Sequence, residues 1–343
     1  MRILVIGGTG FSGPHVVRRL NELGHELLLY HRGQVEADLP DGIRHVHGDR
    51  WHLDGATEEL TRFAPQIVLD MIPRNEQDAW AVVSLFKGIA RRVVALSSQD
   101  VYRAYGRLIG IESGAVEPVP LTEDAPLRTM LYPYWKRSKR PHDPPNHYEK
   151  ILAELIYMGD SELPGTVLRF PMVYGPRDRQ HRLFEYLKRM DDCRPAVVLE
   201  QGMANWRWTK GYVENVAVAV VLAVTDERAT GQIYNVGEKE TLSEAEWVRA
   251  IGVAAGWSGE VVIVPEDCVP GHLVPDINTA QHLVVDTSRI REELGYTELV
   301  SRDEALRRAV AWERVHPPEE VDLKAFNYAV EDALLAELEG HGS

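Results

Sequence analysis

The chain has 343 residues, of which 44% are hydrophobic and 26% charged, and this composition excludes collagen-like, intrinsically disordered and disulfide-framework proteins. Acidic residues outnumber Lys and Arg by 52 to 38, and the net charge of -14 argues against nucleic acid or an anionic membrane as a partner. Cys193 and Cys268 form neither a disulfide scaffold nor a metal-ligand spacing, so we expect a cytoplasmic protein.

The first half alternates short apolar runs with segments of helical periodicity. The first run is too short for a signal peptide or a membrane span, and no later run reaches about 18 residues. Strands are predicted at 3–6, 27–30, 67–70, 93–96 and 167–170, and helices at 14–23, 56–63, 75–89 and 147–159. This order predicts an α/β fold with a Rossmann-like, doubly wound parallel sheet.

After Pro171 the pattern becomes mixed. Helices are expected at 182–190, 213–224 and 243–255, and strands at 196–199, 232–236 and 261–264. We therefore predict a dinucleotide-binding domain over residues 1–172, to which residues 205–236 return. A smaller, interleaved α/β substrate domain then comprises residues 173–204 and 237–343.

A glycine-rich loop joins the first predicted strand to the first helix. Glycines at 7, 10 and 13 allow a tight turn, exposed backbone N–H groups and close helix packing, which together suit a pyrophosphate at a helix N-terminus. The expected cofactor contacts in this loop are Gly7, Thr9, Gly10, Phe11 and Gly13.

Residues at the end of the second strand should bind the adenosine ribose and so select between NAD and NADP. No acid follows it directly, and Arg32 offers a guanidinium suited to a 2′-phosphate, so NADP is predicted, while Glu36 keeps NAD possible. Asp49 is a candidate acceptor for the adenine amino group, with a loop-capping role as the alternative. The basic segment 135–140 is either a solvated loop or a lid that handles a phosphate.

Four segments make the chain resemble the extended, atypical short-chain dehydrogenase/reductases of the NAD-dependent epimerase/dehydratase type. They are the 7–13 glycine loop, Leu96-Ser97-Ser98-Gln99-Asp100-Val101-Tyr102, Lys150 with Ala153-Glu154, and Leu168-Arg169-Phe170-Pro171-Met172-Val173-Tyr174-Gly175-Pro176. The resemblance implies a hydroxyl at Ser98 that orients the substrate. It also implies a cofactor-binding lysine at Lys150, whose charge lowers the pKa of a neighbouring tyrosine.

The tyrosine of this pattern is missing. Its expected position, four residues before Lys150, is occupied by Asn146, and an amide is neither acid nor base. Tyr148 is the nearest candidate, although on a regular helix it would point away from Lys150 unless the helix begins only around residue 147. The remaining candidates for the phenol are Tyr102, Tyr105, Tyr132 and Tyr134.

Substrate recognition is the second departure from the resemblance. Arg177, Arg182 and Arg207 are candidates for binding an anionic substrate, but a diphosphate anchor of the relatives is replaced by Val269-Pro270-Gly271-His272. We expect an NAD(P)-dependent epimerase, dehydratase or reductase that acts on a sugar or nucleotide sugar, with no metal and a possible homodimer. The alternative is a non-catalytic protein on the same scaffold that binds NAD(P) or RNA.

Overall fold

A parallel sheet forms the centre of the molecule in this computed structural model, which describes residues 1–35, 37–135 and 144–341. Glu36 and residues 136–140 of the basic segment lie outside the described residues. The strands are β1 (Arg2–Ile6), β2 (Glu26–His31), β3 (Arg44–His47), β4 (Ile67–Asp70), β5 (Arg92–Ser98), β6 (Gly165–Phe170), β7 (Met172–Tyr174), β8 (Ala196–Glu200), β9 (Lys210–Tyr212), β10 (Ile233–Asn235) and β11 (Glu260–Val264).

The sheet has seven strands in the order β10-β6-β5-β4-β1-β2-β3, and all its pairs are parallel. Each strand predicted in the first half lies within an observed strand, so the predicted doubly wound sheet is confirmed. The strand order reverses between β1 and β4, and open sheets of this kind bind ligands at the carboxyl ends of their strands beside that point.

Helices cover both faces of the sheet. Buried aliphatic side chains of α1 and α8 pack on one face, while α3 and α5 pack together on the other. The helices are α1 (Gly13–Glu22), α2 (Thr57–Arg62), α3 (Glu76–Phe86), α4 (Arg103–Leu108), α5 (Lys150–Gly159), α6 (Phe184–Asp191), α7 (Gln201–Asn205), α8 (Val213–Thr225), α9 (Glu244–Ala255), α10 (Ser288–Leu294), α11 (Arg302–Val315) and α12 (Tyr328–His341).

A second apolar core lies beside the sheet. It is built by α6, α9 and α11 together with the parallel pair β8–β11. The chain returns to the central sheet at α8, which packs on α1, and at β10, which pairs with β6. We propose from these contacts the division into a sheet domain and a smaller, interleaved domain given above.

No helix in the described part of the chain is both long enough and apolar enough to cross a membrane.

Candidate functional site

A cleft of about 810 Å³ opens above the carboxyl ends of β1 and β2, and we call it the cofactor cleft. Its floor is the glycine loop, where Gly7 has a φ of +95° that a side chain would strain. A Cβ on Gly13 would lie 2.4 Å from the backbone of Gly8, so only glycine lets α1 start this close to the loop. The sequence thus brings the N-terminus of α1 directly to the cleft.

The cofactor cleft fits a dinucleotide. A Cβ on Gly10 would meet no atom within 4 Å, so the loop leaves open space at this point of the cleft. Ser12, the N-cap of α1, makes no side-chain capping bond to the helix N–H groups, and an anion is favoured there. Nε and Nη1 of Arg50 are buried without a hydrogen-bond partner among the described residues, and Arg50 lines the same cleft.

All eight sequence-predicted cofactor residues line this cleft: Gly7, Thr9, Gly10, Phe11, Gly13, Arg32, Asp49 and Lys150. Arg32 is exposed beside His31 at the end of β2. Asp49 also caps a short helical turn, because its Oδ1 accepts from the backbone N–H of Trp51 at 2.9 Å. The capping alternative is therefore observed, and the carboxylate still faces the cleft.

A second cleft of about 850 Å³ adjoins the first, and we call it the substrate cleft. Arg74 and Tyr148 line both clefts and so mark their junction. Ser98, the last residue of β5, lines the substrate cleft and also accepts from the backbone N–H of Asp100 at 3.2 Å. The junction is therefore where a nicotinamide and a substrate would meet.

Tyr148 lies beside two polar groups at this junction. The Ser98 hydroxyl lowers the pKa of its phenol, and the Asp100 carboxylate raises it. A second phenol, Tyr134, donates to Asp100 Oδ2 at 3.2 Å and is itself within 2.8 Å of the Tyr105 hydroxyl. Sequence analysis left open which tyrosine serves beside Ser98, and Tyr148, Tyr105 and Tyr134 line the substrate cleft together with it.

The start of α5 explains how Tyr148 reaches this position. The helix begins at Lys150, not at residue 147, and its N-cap Glu149 is extended with a φ of -151°. Buried Glu149 accepts from the Arg128 guanidinium at 3.2 Å and from the Tyr132 N–H at 2.6 Å. Tyr148 therefore lies outside the helix, and the 100° rotation per residue that would turn it away from Lys150 does not apply.

Lys150 lies beside the phenol. Its ammonium is 5.5 Å from the centre of the Tyr148 ring and donates to the carbonyl of Leu96 at 2.9 Å. Burial lowers the pKa of Lys150 to about 8. Burial, followed by the charge of Asp100, raises the pKa of Tyr148 well above its ordinary value. The net pKa of the tyrosine is thus raised, because desolvation and the carboxylate outweigh any lowering by the charge of Lys150.

The other tyrosines are placed differently. The Tyr102 hydroxyl donates to Asn235 Oδ1 at 2.6 Å in the buried core, and the Tyr132 hydroxyl donates to Glu76 at 2.7 Å. Neither is among the described residues that line the two clefts, whereas Tyr105 and Tyr134 line the substrate cleft.

Only one of the three predicted substrate arginines is among the described residues that line the substrate cleft. Arg182 lines it, with its guanidinium paired to Asp178 at 2.7 Å. Arg207 instead donates to the Thr241 carbonyl at 2.7 Å and lies 3.4 Å from Glu246, and neither Arg207 nor Arg177 is among the described residues lining either cleft. Their assignment to substrate binding therefore stays a prediction that the cleft lining does not support.

Sequence reasoning missed several residues that line the clefts. Asp100 is the most informative, since it is 6% exposed and its Oδ1 has no hydrogen-bond partner in the part of the chain that the structure describes. Burial raises its pKa. Its place two residues after Ser98 was a signal that could have found it. Arg74, Arg179, Lys210 and Glu244 had no such signal, because distant segments bring them together.

Comparison of the sequence with known protein families identifies one that matches most of the chain. The model of the NAD dependent epimerase/dehydratase family matches residues 3–237. The chain is 26% identical to 2'-dehydrokanamycin reductase of Streptomyces kanamyceticus over 78% of this chain and 70% of that protein. It is 23% identical to the chloroplast stem-loop binding protein of 41 kDa b of Arabidopsis thaliana over 75% of this chain and 64% of that protein.

Solved structures share the fold. The crystal structure of the Thermus thermophilus UDP-glucose 4-epimerase complex with NAD superimposes with a TM-score of 0.65 at 22% sequence identity. The match covers 92% of this chain and 100% of that chain.

Proposed function

Because the chain belongs to the NAD dependent epimerase/dehydratase family, we propose that it is an NAD(P)-dependent oxidoreductase acting on a sugar hydroxyl or carbonyl. The observation that carries this proposal is the group formed by Ser98, Tyr148 and Lys150 at the junction of the two clefts. A bound nicotinamide would supply or accept the hydride. The chain's own residues have to hold the substrate oxygen and handle its proton.

Ser98 and Tyr148 are suited to that task. Both residues line the substrate cleft, so their hydroxyls can both turn to one substrate oxygen, which Ser98 orients and Tyr148 protonates or deprotonates. The phenol is the proton donor in reduction, since its raised pKa keeps it protonated at neutral pH. Lys150 lines the cofactor cleft beside it, and its charge stabilises the phenolate left after proton transfer.

Asp100 extends the path of the proton. Its carboxylate acts on the phenol electrostatically, and burial raises the pKa of Asp100, which favours its protonated form. A protonated Asp100 returns a proton to the Tyr148 phenolate. The acid then regains a proton from water in the substrate cleft that it lines.

NADP is the proposed cofactor. Arg32 is an exposed guanidinium at the end of the cofactor cleft where a ribose 2′-phosphate would lie. Replacing Arg32 with Ala should reduce the ratio of NADP to NAD affinity by about 10-fold or more, because a charge-assisted contact contributes about 1.5–3 kcal/mol. Calorimetric titration of both cofactors measures the ratio. An unchanged ratio would refute the assignment to NADP.

The charges of the substrate cleft favour a sugar without a diphosphate. Each cation that lines it is already paired: Arg74 with Asp78 at 3.1 Å, Arg182 with Asp178 at 2.7 Å, and Lys210 with Glu244 at 3.0 Å. Asp100 has no ion-pair partner within 4.0 Å among the described residues. In the described part of the substrate cleft, a diphosphate would therefore meet no cation without a carboxylate partner.

Glu185 points to the same class of substrate. It lines the cleft, and its contact with the Arg189 guanidinium is long, at 3.6 Å, because Arg189 pairs more closely with Glu331 at 3.0 Å. Carboxylates and phenols bind hydroxyl and ammonium groups. We therefore propose a neutral or amine-bearing polyhydroxylated substrate, and the relative named 2'-dehydrokanamycin reductase supports this proposal.

A nucleotide sugar is the second candidate, and it is favoured by the aromatic rings of the substrate cleft. Trp206 and Trp208 both line it with ring centres 5.6 Å apart, and Trp208 is partly exposed. An indole face of this kind can stack on a base. Trp206 itself is fixed by a 2.9 Å hydrogen bond from its Nε1 to the Gln281 carbonyl.

The deciding experiment measures oxidation of NADPH by the full chain with 2'-dehydrokanamycin, a neutral keto-sugar and a UDP-linked 4-keto-sugar as separate substrates. Turnover of either of the first two supports the proposed substrate class. Turnover of the UDP-linked sugar alone supports the nucleotide-sugar candidate. Cofactor binding without turnover of any of them, together with saturable RNA binding, would support the non-catalytic alternative that the stem-loop binding relative suggests.

A further inference from the structure

Three histidines gather on one face of the central sheet next to the cofactor cleft. His31 ends β2, and His45 and His47 lie in β3. In the parallel register His31 pairs with His47, while His45 is two residues before His47, so all three side chains project from the same face. One ring nitrogen from each histidine lies within 4.8 Å of the other two.

A single hydrogen joins two of these imidazoles. Nε2 of His31 lies 2.8 Å from Nδ1 of His45. The backbone N–H of Gly33 donates to Nδ1 of His31 at 3.2 Å, so the hydrogen of His31 is on Nε2 and points to His45. The third ring, His47, meets His31 edge to face at 5.0 Å between centres.

The cluster is chemically ready to coordinate a metal. Metals bind the neutral imidazole, and the ring nitrogens of His31 and His45 already face each other at 2.8 Å. Three imidazole nitrogens around one ion at about 2.0–2.1 Å would stand roughly 3.4 Å apart, so each nitrogen has to move by little more than about 1 Å. Exposed side chains such as His45 and His47 are free to make that adjustment.

We propose that His31, His45 and His47 bind one divalent transition-metal ion of the class that prefers imidazole, namely Zn²⁺, Cu²⁺ or Ni²⁺. The ion takes the place of the hydrogen between His31 and His45, and this hydrogen moves to Nδ1 of His31. The 3.2 Å bond from Gly33 is then given up, which is a small cost against a metal–nitrogen bond. The fourth position of the ion stays open to water or an added ligand.

The site adjoins the adenosine end of the cofactor cleft. His31 lines that cleft together with Arg32 and Gly33, the residues that follow it in the chain. A bound ion thus adds positive charge beside Arg32. The metal site does not depend on the proposed oxidoreductase activity, since its ligands lie at the far end of the cleft from Tyr148.

The test uses the full chain without a polyhistidine tag, freed of metal by chelation and titrated with Cu²⁺. We expect one equivalent to bind at micromolar concentration or tighter, with an electron paramagnetic resonance spectrum that shows nitrogen coordination. Zn²⁺ should compete for the same site in calorimetry. His45→Gln and His47→Gln should each weaken binding about 10-fold or more by removing one ligand.

His25→Gln is the matched control, because His25 lies 3.2 Å from the N-terminal amine and together they form another pair of nitrogen ligands. This variant should bind Cu²⁺ as the wild type does. The proposal would be overturned if His25→Gln lost Cu²⁺ binding while His47→Gln kept it. It would also be overturned if the wild type bound no Cu²⁺ below millimolar concentration. Circular dichroism and thermal unfolding of each variant show that the chain remains folded.

Discussion

Two clusters of polar side chains lie next to each other at the carboxyl end of β5. The paired cluster comprises Ser97, Tyr102, Glu154 and Arg169, and the cleft cluster comprises Ser98, Asp100, Tyr148 and Lys150. Their adjacent serines face opposite sides because successive strand residues alternate. The clusters resemble each other in composition and differ in how completely their charges are compensated.

Opposite charges meet directly in the paired cluster. Arg169 binds Glu154 at 2.8 Å and the Tyr102 hydroxyl at 3.0 Å, while Ser97 donates to Glu154. In the cleft cluster, Asp100 keeps an oxygen without a hydrogen-bond partner among the described residues, and the pKa of Lys150 is lowered by burial. The comparison teaches that similar groups stabilise the fold where they are paired and remain available for chemistry where they are not.

The largest expected difference between the clusters lies in their tyrosines. Tyr148→Phe should reduce turnover by about 10²–10⁴-fold, because the proton donor is lost, while cofactor affinity stays nearly unchanged. Tyr102→Phe is the matched control. It should retain turnover per folded molecule and lose about 1–3 kcal/mol of unfolding free energy, since its bonds to Asn235 and Arg169 are buried. Steady-state kinetics and urea unfolding of both variants provide the measurement.

Equal loss of turnover in the two tyrosine variants would show that the two clusters do not differ in their role in catalysis. Full activity of Tyr148→Phe would indicate that the proton donor is Tyr105 or Tyr134, which also line the substrate cleft. A gain of turnover in Asn146→Tyr together with a silent Tyr148→Phe would indicate that the natural chain lacks a proton donor.

Glu154→Gln tests the stability of the paired cluster. It leaves the Arg169 guanidinium buried without its counter-charge, so we expect about 3–5 kcal/mol of destabilisation. Turnover by the folded fraction should persist. Chemical denaturation followed by tryptophan fluorescence measures the loss, and a change below about 1 kcal/mol would show that the pair contributes little.

Lys150→Met tests the cost of the uncompensated charge. A pKa lowered from 10.5 to about 8 corresponds to a net penalty of roughly 3 kcal/mol for the ammonium at pH 7. The variant, which carries no charge at this position, should therefore be more stable than the wild type at pH 7, by up to about 3 kcal/mol. Urea unfolding of both proteins measures this difference.

The stability gap should also depend on pH in a defined direction. Below pH 8 both the folded and the unfolded wild type carry the ammonium, and the full penalty applies. Between pH 8 and 10.5 the unfolded chain binds more protons, so wild-type stability rises with pH relative to the variant. A gap that stays constant from pH 7 to 10 would contradict the lowered pKa.

Asp100→Asn should give the smallest of these effects. If Asp100 returns protons to Tyr148, turnover falls by about 10-fold at the pH optimum, less than for loss of a direct proton donor, because Asp100 acts through Tyr148. The wild-type oxidation rate should fall as pH drops through the raised pKa of Asp100, because a protonated acid no longer accepts from the phenol. The Asn variant should lack that limb of the pH profile. An identical limb in both proteins would remove Asp100 from the proton path.

How far the sequence predicts the molecule depends on whether the signal is local. The cofactor cleft was predictable because its loop, Arg32 and Asp49 follow directly from strand ends. The substrate cleft was not, because Lys210 and Glu244 come from separate segments and Arg207 turns to the Thr241 carbonyl. The direction of Tyr148 also needed the structure, since it depends on which residue begins α5.

The late start of α5 has a consequence for recognising such proteins. A search pattern that demands a tyrosine four positions ahead of the lysine would reject this chain, although its phenol and ammonium are neighbours in space. The diagnostic quantity is the path of the backbone ahead of the first helical turn, which here follows the 3-10 segment Pro144–His147. If the helix began two residues earlier, Tyr148 would lie about 200° around the helix axis from Lys150, and the phenol would leave the junction. A change that moves the start of the helix could thus remove the phenol from the site without replacing any residue of the cleft.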